Sequence, residues 1–385
     1  MPTALTLSEL VRSRRVLITV GAGGVGKTTT AAALAVAAAR EGKRVLCMTI
    51  DPAKRLAQAL GLETIATEGA RVDPARFRTA GGPEGGALTV MMLDTKSTFD
   101  DLVRKHSSTP QKAEKLLSNK LYQYVSTSLA GTQEYMAVEK LVAVKDDPAW
   151  DLIVLDTPPT ANALDFLDAP ERLIDALDSA TMKWFVEAFQ STGKMSLNLL
   201  AKSAAAVLRG IGKITGGGFL EAMAEFITEL NDLFGGFKQR ASIVQRTLRS
   251  RDVAFVLVTS PNPTSLREVV YFAERLEEHD MPRGAFVVNR FHLPPAGPAH
   301  AATADEAKGA IAAQSVALDD DAPERVARAH ADHFRLAALD ASWVRVLTAP
   351  ARTGVPVVRV PELASDVHDV ALLGKLADTL MTGGV

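Results

Sequence analysis

Cysteine is almost absent: the 385-residue chain has one, Cys47. A lone thiol makes no internal disulfide and no multi-cysteine zinc or arsenite site within one subunit, because such sites need several thiolates. A chain without disulfides suits a reducing compartment, so a cytoplasmic location is expected. Charge of one sign is missing too. Lysine plus arginine is 43 and aspartate plus glutamate is 45, a net charge of −2. That balance offers no bulk attraction to nucleic acid or to an anionic membrane. No uncharged apolar run reaches the ~18 residues of a membrane span. Met1 to Arg15 lacks the apolar centre and small-residue cleavage site of a secretory signal.

What the chain does have is apolar mass, 47% of residues against 23% charged, enough for a large core. Short runs rich in Val, Ile and Leu recur at Val16–Val20, Val45–Ile50, Leu88–Leu93, Leu152–Leu155, Val253–Val258, Ala285–Val288 and Val355–Val360. Most do not alternate with polar residues, which is the pattern of strands covered on both faces. Helical patterning separates them at Thr28–Arg40, Thr132–Lys145, Ser265–His279 and Asp366–Leu380. The fold class expected is α/β, a doubly wound, mostly parallel sheet with right-handed crossovers. Ser97–Val144 reads as helical with polar breaks, and Pro294–Asp321 as a loop leading into a surface helix. Leu173–Leu248 contains no convincing strand. It reads as a helical subdomain, residues 173–248, inserted into a core formed by 1–172 and 249–385.

Gly21-Ala22-Gly23-Gly24-Val25-Gly26-Lys27-Thr28 matches G-x-x-x-x-G-K-[ST] between a strand and a helix. Glycines let successive main-chain N–H groups turn towards phosphate oxygens, and the helix adds its positive end. Lys27 would neutralise the β and γ phosphates, and the Thr28 hydroxyl would ligate magnesium. Two acids end later strands: Asp51 in Asp51-Pro52-Ala53-Lys54-Arg55, and Asp156 in Asp156-Thr157-Pro158-Pro159-Thr160. Carboxylates at the carboxyl ends of parallel strands beside such a loop suit magnesium binding or the orientation of an attacking water.

These motifs, with Thr29, Gly131-Thr132-Gln133-Glu134 and Val288-Asn289-Arg290, resemble the deviant-Walker-A P-loop ATPases. Within them they resemble the ArsA-like branch, which contains the arsenite-pump ATPase and the targeting factor for tail-anchored membrane proteins. The resemblance covers the α/β core and is weak across Leu173–Leu248. It implies ATP and magnesium as cofactors. It implies phosphate contacts from Gly23, Gly24, Val25, Gly26, Lys27, Thr28 and Thr29, and metal contacts from Thr28, Asp51 and Asp156. It further implies Asp51 as the acid that positions water, and adenine contacts from Asn289 and Pro361. A dimer with nucleotide near its interface, opening and closing with hydrolysis, completes the picture.

The chain departs from the family in two places. Family members carry a second loop lysine where this chain has Ala22. Three readings follow: pairing with a lysine-bearing paralogue, substitution by Lys54 or Arg55, or slow hydrolysis by a nucleotide-dependent clamp. Secondly, the thiolates of a metalloid site and the C-x-x-C pair of an interfacial zinc are absent, which disfavours arsenite and zinc. Cys47 reads as core filler, and His330-x-x-His333 as solvent-exposed histidines rather than a metal pair. The insert's Met182, Trp184, Phe185, Phe189 and Phe226 suit either an apolar client groove or a packed core.

The expected function is thus an ATPase whose cycle binds and releases a protein or apolar client. The alternatives are a weakly active regulatory subunit of a heteromer and, from another class, a ParA/MinD-like positioning ATPase. The last is opposed by the near-neutral charge and by the acids in Asp366–Leu380.

Overall fold

The computed structural model describes residues 5–50, 55–62, 69–78, 83–120, 122–123, 126, 132–157, 226, 239–314, 319–349, 354–363, 366–367 and 369–384. In chain order, α1 (Leu7–Ser13), β1 (Val16–Val20), α2 (Lys27–Arg40), β2 (Arg44–Thr49) and α3 (Arg55–Ala59) come first. β3 (Ala70–Arg71), α4 (Pro74–Phe77), β4 (Ala87–Met92), α5 (Thr95–His106), α6 (Pro110–Leu117), α7 (Thr132–Lys145) and β5 (Leu152–Asp156) follow. After a helical stretch over 239–248 come β6 (Val253–Thr259), α8 (Pro263–Glu278), β7 (Arg283–Phe291), α9 (Ala304–Ala313) and α10 (Ala322–Val344). A 3-10 turn (Arg345–Thr348), β8 (Val357–Pro361) and α11 (Val370–Met381) complete the order. Among the described residues, no helix is long and apolar enough to cross a membrane.

One eight-stranded sheet runs β3-β4-β2-β5-β1-β6-β7-β8. Every pairing is parallel except β3 with β4. The expected parallel α/β sheet is therefore present, with one short antiparallel edge that no sequence pattern announced. Side chains alternate between faces along each strand. Val16, Ile18 and Val20 belong to a core with α5, α7 and α8. Leu17, Val45 and Cys47 belong to the opposite core with α1, α2 and α11. Cys47 is fully buried, as core filler should be. In α2, the residues from Ala31 to Ala39 are all buried. Their small side chains let the helix lie close between the sheet and α11.

Three boundaries differ from expectation. Pro294–Asp321 is not only loop: α9 lies inside it, started by a capping box in which Thr303 and Glu306 satisfy each other's main-chain donors. The last helix starts at Val370, not Asp366, because the Asp369 side chain accepts from Leu372 N and caps it there. α1 was not anticipated, although Thr6 and Glu9 form another capping box. The expected insert lies outside the described residues, apart from Phe226 and 239–248. At that junction Arg240 pairs with Glu139 of α7 at 2.6 Å. Glu139 is 1% exposed and also accepts from the Tyr135 hydroxyl at 2.8 Å.

Candidate functional site

The strand order reverses direction around β1: the chain passes from β1 to β2 on one side and later from β5 to β6 on the other. Such a switch point leaves a crevice at the carboxyl ends of the strands. The glycine loop sits there. At Gly21 a β-carbon would lie 2.0 Å from the Val258 carbonyl oxygen of β6, so only glycine lets the loop leave β1 so close to its neighbour. At Gly26, which caps α2 with φ +97°, a β-carbon would lie 2.2 Å from Asn289 Nδ2. Val25 is buried and anchors the loop, while Gly23 and Gly24 are exposed. Lys27, 5% exposed, donates from Nζ to the Ala22 carbonyl at 2.7 Å. Its ammonium thus folds across its own loop, with the positive end of α2 beneath. Thr28 and Thr29, in the first turn of α2, are half-buried.

Asp156 ends β5 in register with Thr19 of β1 and Thr49 of β2. It is fully buried, and its Oδ2 accepts from the Thr49 hydroxyl at 3.1 Å. The Thr157 hydroxyl donates to the Thr19 carbonyl at 2.8 Å, and the Thr19 hydroxyl donates to the Leu155 carbonyl at 3.3 Å. Hydroxyls thereby tie three strand ends around one acid. Burial and then the Asp156 charge push the Cys47 thiol up, well beyond the range where it would ionise. The donors near the loop, a carboxylate and a threonine hydroxyl, are hard oxygen ligands that fit magnesium. Among the described residues no group of three or more His, Cys, Asp or Glu side chains is placed to hold a metal ion.

Beside the loop lies a pocket of about 300 Å³ whose lining includes Gly26, Thr29, Asn289, Pro361, Glu362 and Asp366. Asn289 Nδ2 donates to the Val25 carbonyl at 2.9 Å, joining the pocket to the loop. The next residue, Arg290, has φ +58°, and the β7–β8 register shifts between Val288 and Phe291. This bulge lets the strand re-aim its side chains at the rim. Four residues singled out by sequence, Gly26, Thr29, Asn289 and Pro361, therefore meet in one pocket. Glu362 and Asp366 were missed; Asp366 had been assigned to the last helix and carries no local signal of a pocket role.

Asp51, Pro52, Ala53 and Lys54 lie outside the described residues, as do Gly131 and Pro158–Thr160. Arg55 opens α3, and Thr132 opens α7. The reading of His330 and His333 as solvent-exposed needs correction at His330. That ring is half-buried, because its Nδ1 accepts from Ala302 N at 3.2 Å and pins the approach to α9. His333 is exposed, and its Nε2 donates to the Leu293 carbonyl at 2.8 Å.

Over residues 14–314 the sequence matches the family described as anion-transporting ATPase. It is 28% identical over 281 residues to ATPase get3 of Aspergillus terreus, covering 72% of this chain and 73% of that one. It is 28% identical over 296 residues to ATPase get3 of Aspergillus niger, covering 75% and 77%. Against ATPase GET3 of Malassezia globosa the identity is 26% over 279 residues, covering 72% of each.

Proposed function

The chain belongs to the anion-transporting ATPase family and is an ATPase; on that premise we propose how its residues bind and cleave the nucleotide. The amides of Gly23 to Thr29 and the Lys27 ammonium hold the phosphates. Thr28, Asp51 and Asp156 hold magnesium, which when bound supplies positive charge to the β and γ phosphates. Asp51 orients the attacking water, and Asn289 and Pro361 receive the adenine. The observation that carries this reading is the junction at Gly26, where the glycine loop and the 300 Å³ pocket share a wall through Asn289. A cradle for an anionic tail next to a slot for a planar base is what a nucleotide requires.

Phosphate binding competes with the Lys27–Ala22 contact. The ammonium has a polar partner in the free protein and exchanges it for phosphate oxygens, so little desolvation accompanies the swap. The hydrolysis cycle then opens and closes a dimer and binds and releases a protein or apolar client. Ala22 favours a second reading, a weakly active subunit that needs a lysine-bearing partner. Lysine at Ala22 raising the turnover of the purified protein would support that reading.

Calorimetric titration with Mg-ATP and Mg-ADP tests the core proposal. Wild-type protein should release binding heat, and Lys27→Ala should weaken affinity about 100-fold and abolish phosphate release, the scale of losing a charged phosphate partner. Absent heat from wild type, or full turnover in Lys27→Ala, would sink it.

A further inference from the structure

A cluster centred on Asp340, His292 and Glu362, none of which stands in a sequence motif, reaches the rim of this pocket. Asp340, on α10, is 3% exposed, and a carboxylate buried so deeply needs a partner. Its Oδ2 accepts from the main-chain N of His292 at 2.9 Å and lies 2.8 Å from ring Nδ1 of the same residue. The other ring nitrogen, Nε2, is 2.9 Å from Glu362 Oε2. Glu362 lines the pocket beside Pro361, and its main-chain N donates to the Phe291 carbonyl at 3.0 Å. One imidazole therefore spans from a buried acid in the helix layer to an acid at the pocket rim. The edge of His333 packs on it, with ring centroids 5.7 Å apart.

We infer that His292 is a positioning residue for nucleotide binding, clamped by Asp340 and holding Glu362 at the rim. The inference rests on the reading of this pocket as the base site. Two of the segments that line the pocket are Asn289–Arg290, within the β7 bulge and next to His292, and Pro361–Leu363 at the end of β8. The His292–Glu362 bridge and the Glu362–Phe291 main-chain bond link them. Asp340 fixes the first wall because it bonds both the main chain and the ring of His292. The ring then fixes the second. Without the bridge, Glu362, whose side chain is 51% exposed, is free to sample rotamers. A loose wall must be ordered on binding, and where His292 is the residue removed the Glu362 carboxylate is left without its partner beside an anionic ligand. Both effects weaken binding without touching the reacting phosphate, so they fall on affinity rather than on the chemical step.

The experiment measures Kd for a ribose-labelled fluorescent ADP, together with KM and kcat for ATP, in the full chain. The variants are Glu362→Ala, His292→Asn, the two combined, and Glu362→Gln. Glu362→Ala and His292→Asn should each raise Kd and KM about tenfold, as expected for one charge-assisted hydrogen bond. The loss should fall on KM rather than kcat, and the combined variant should be no worse than the weaker single one. Glu362→Gln, whose amide oxygen still accepts from the ring, should recover most of the affinity. Unchanged Kd in Glu362→Ala, or losses that add in the combined variant, overturns the inference. Glu362 sits at the surface, so its variants give this answer even where His292→Asn fails to fold. Weak binding in Lys27→Ala beside normal binding in Glu362→Ala removes the inference and leaves the proposed function standing. A wild-type protein that binds no ADP removes both.

Discussion

The two ends of the central strands are polar in different ways. At the amino ends, long cations are bonded to fixed main-chain carbonyls. Arg15 donates to the carbonyls of Lys145 at 2.8 Å and Asp147 at 2.7 Å, and also to that of Trp150. Lys43 donates to Val11 and Arg12 carbonyls at 2.8 and 2.7 Å, and Arg44 pairs with Asp151 at 2.6 Å. At the carboxyl ends the groups are short hydroxyls, one buried acid and a lysine folded onto its own glycine loop. The amino end thus staples turns to the sheet, while the carboxyl end keeps its charges beside an open crevice. Charge alone does not mark the site, since both ends have it. The difference lies in whether the partners are parts of the scaffold or of a loop that a ligand can displace.

The comparison breaks most visibly at Asp156. Asp156→Asn keeps the shape and still accepts from Thr49, so it should cost about 10³-fold in ATP turnover, roughly 4 kcal/mol, with little change in the urea midpoint. Normal steady-state phosphate release from that variant would move the chemistry away from this strand end. Arg15→Ala should do the reverse. Losing its carbonyl contacts should lower unfolding free energy by about 2 kcal/mol, with turnover per folded molecule unchanged. A comparable fall in turnover would show that the amino end is coupled to the crevice.

The smallest effect belongs to Arg44. Both side chains of its pair with Asp151 are well exposed, so Arg44→Ala should cost less than ~1 kcal/mol at neutral pH. The Arg44 hydrogen bond holds the Asp151 carboxyl down at about 2, against 3.8 ordinarily. The unfolded chain therefore takes up this proton first. The contribution is complete above pH 3.8 and is lost as pH falls towards 2. Thermal midpoints of wild type and Arg44→Ala should converge over that interval. A gap that persists at the acid end would mean that Arg44 acts through packing of its stem.

Much of this was legible in sequence where the signal is local. The strands declared themselves by unbroken Val, Ile and Leu because both faces are covered, and the glycine loop by spacing, because Gly21 and Gly26 each solve a separate steric problem. Local signals were also overlooked: Thr6 with Glu9 and Thr303 with Glu306 spell capping boxes that start α1 and α9. β3 is two residues long and borrows its order from β4, so no periodicity exists to be seen. The His292 cluster was out of reach for a different reason. Its acids lie 48 and 70 residues downstream, on a helix and beyond a strand, and only the sheet order brings them to one ring. Asn289 and Pro361 came from resemblance alone; neither residue type announces a base pocket.

The alanine-lined helix behind the glycine loop has a mechanical consequence. It is a rod gripped along its length, its residues buried from Thr30 to Ala39 in one core with the sheet and α11. A rod held that way has no slack in which to bend. Any pull on Lys27 must either stop at the first turn or slide the whole rod along α11, carrying a local tug at the loop towards the amino ends of the strands.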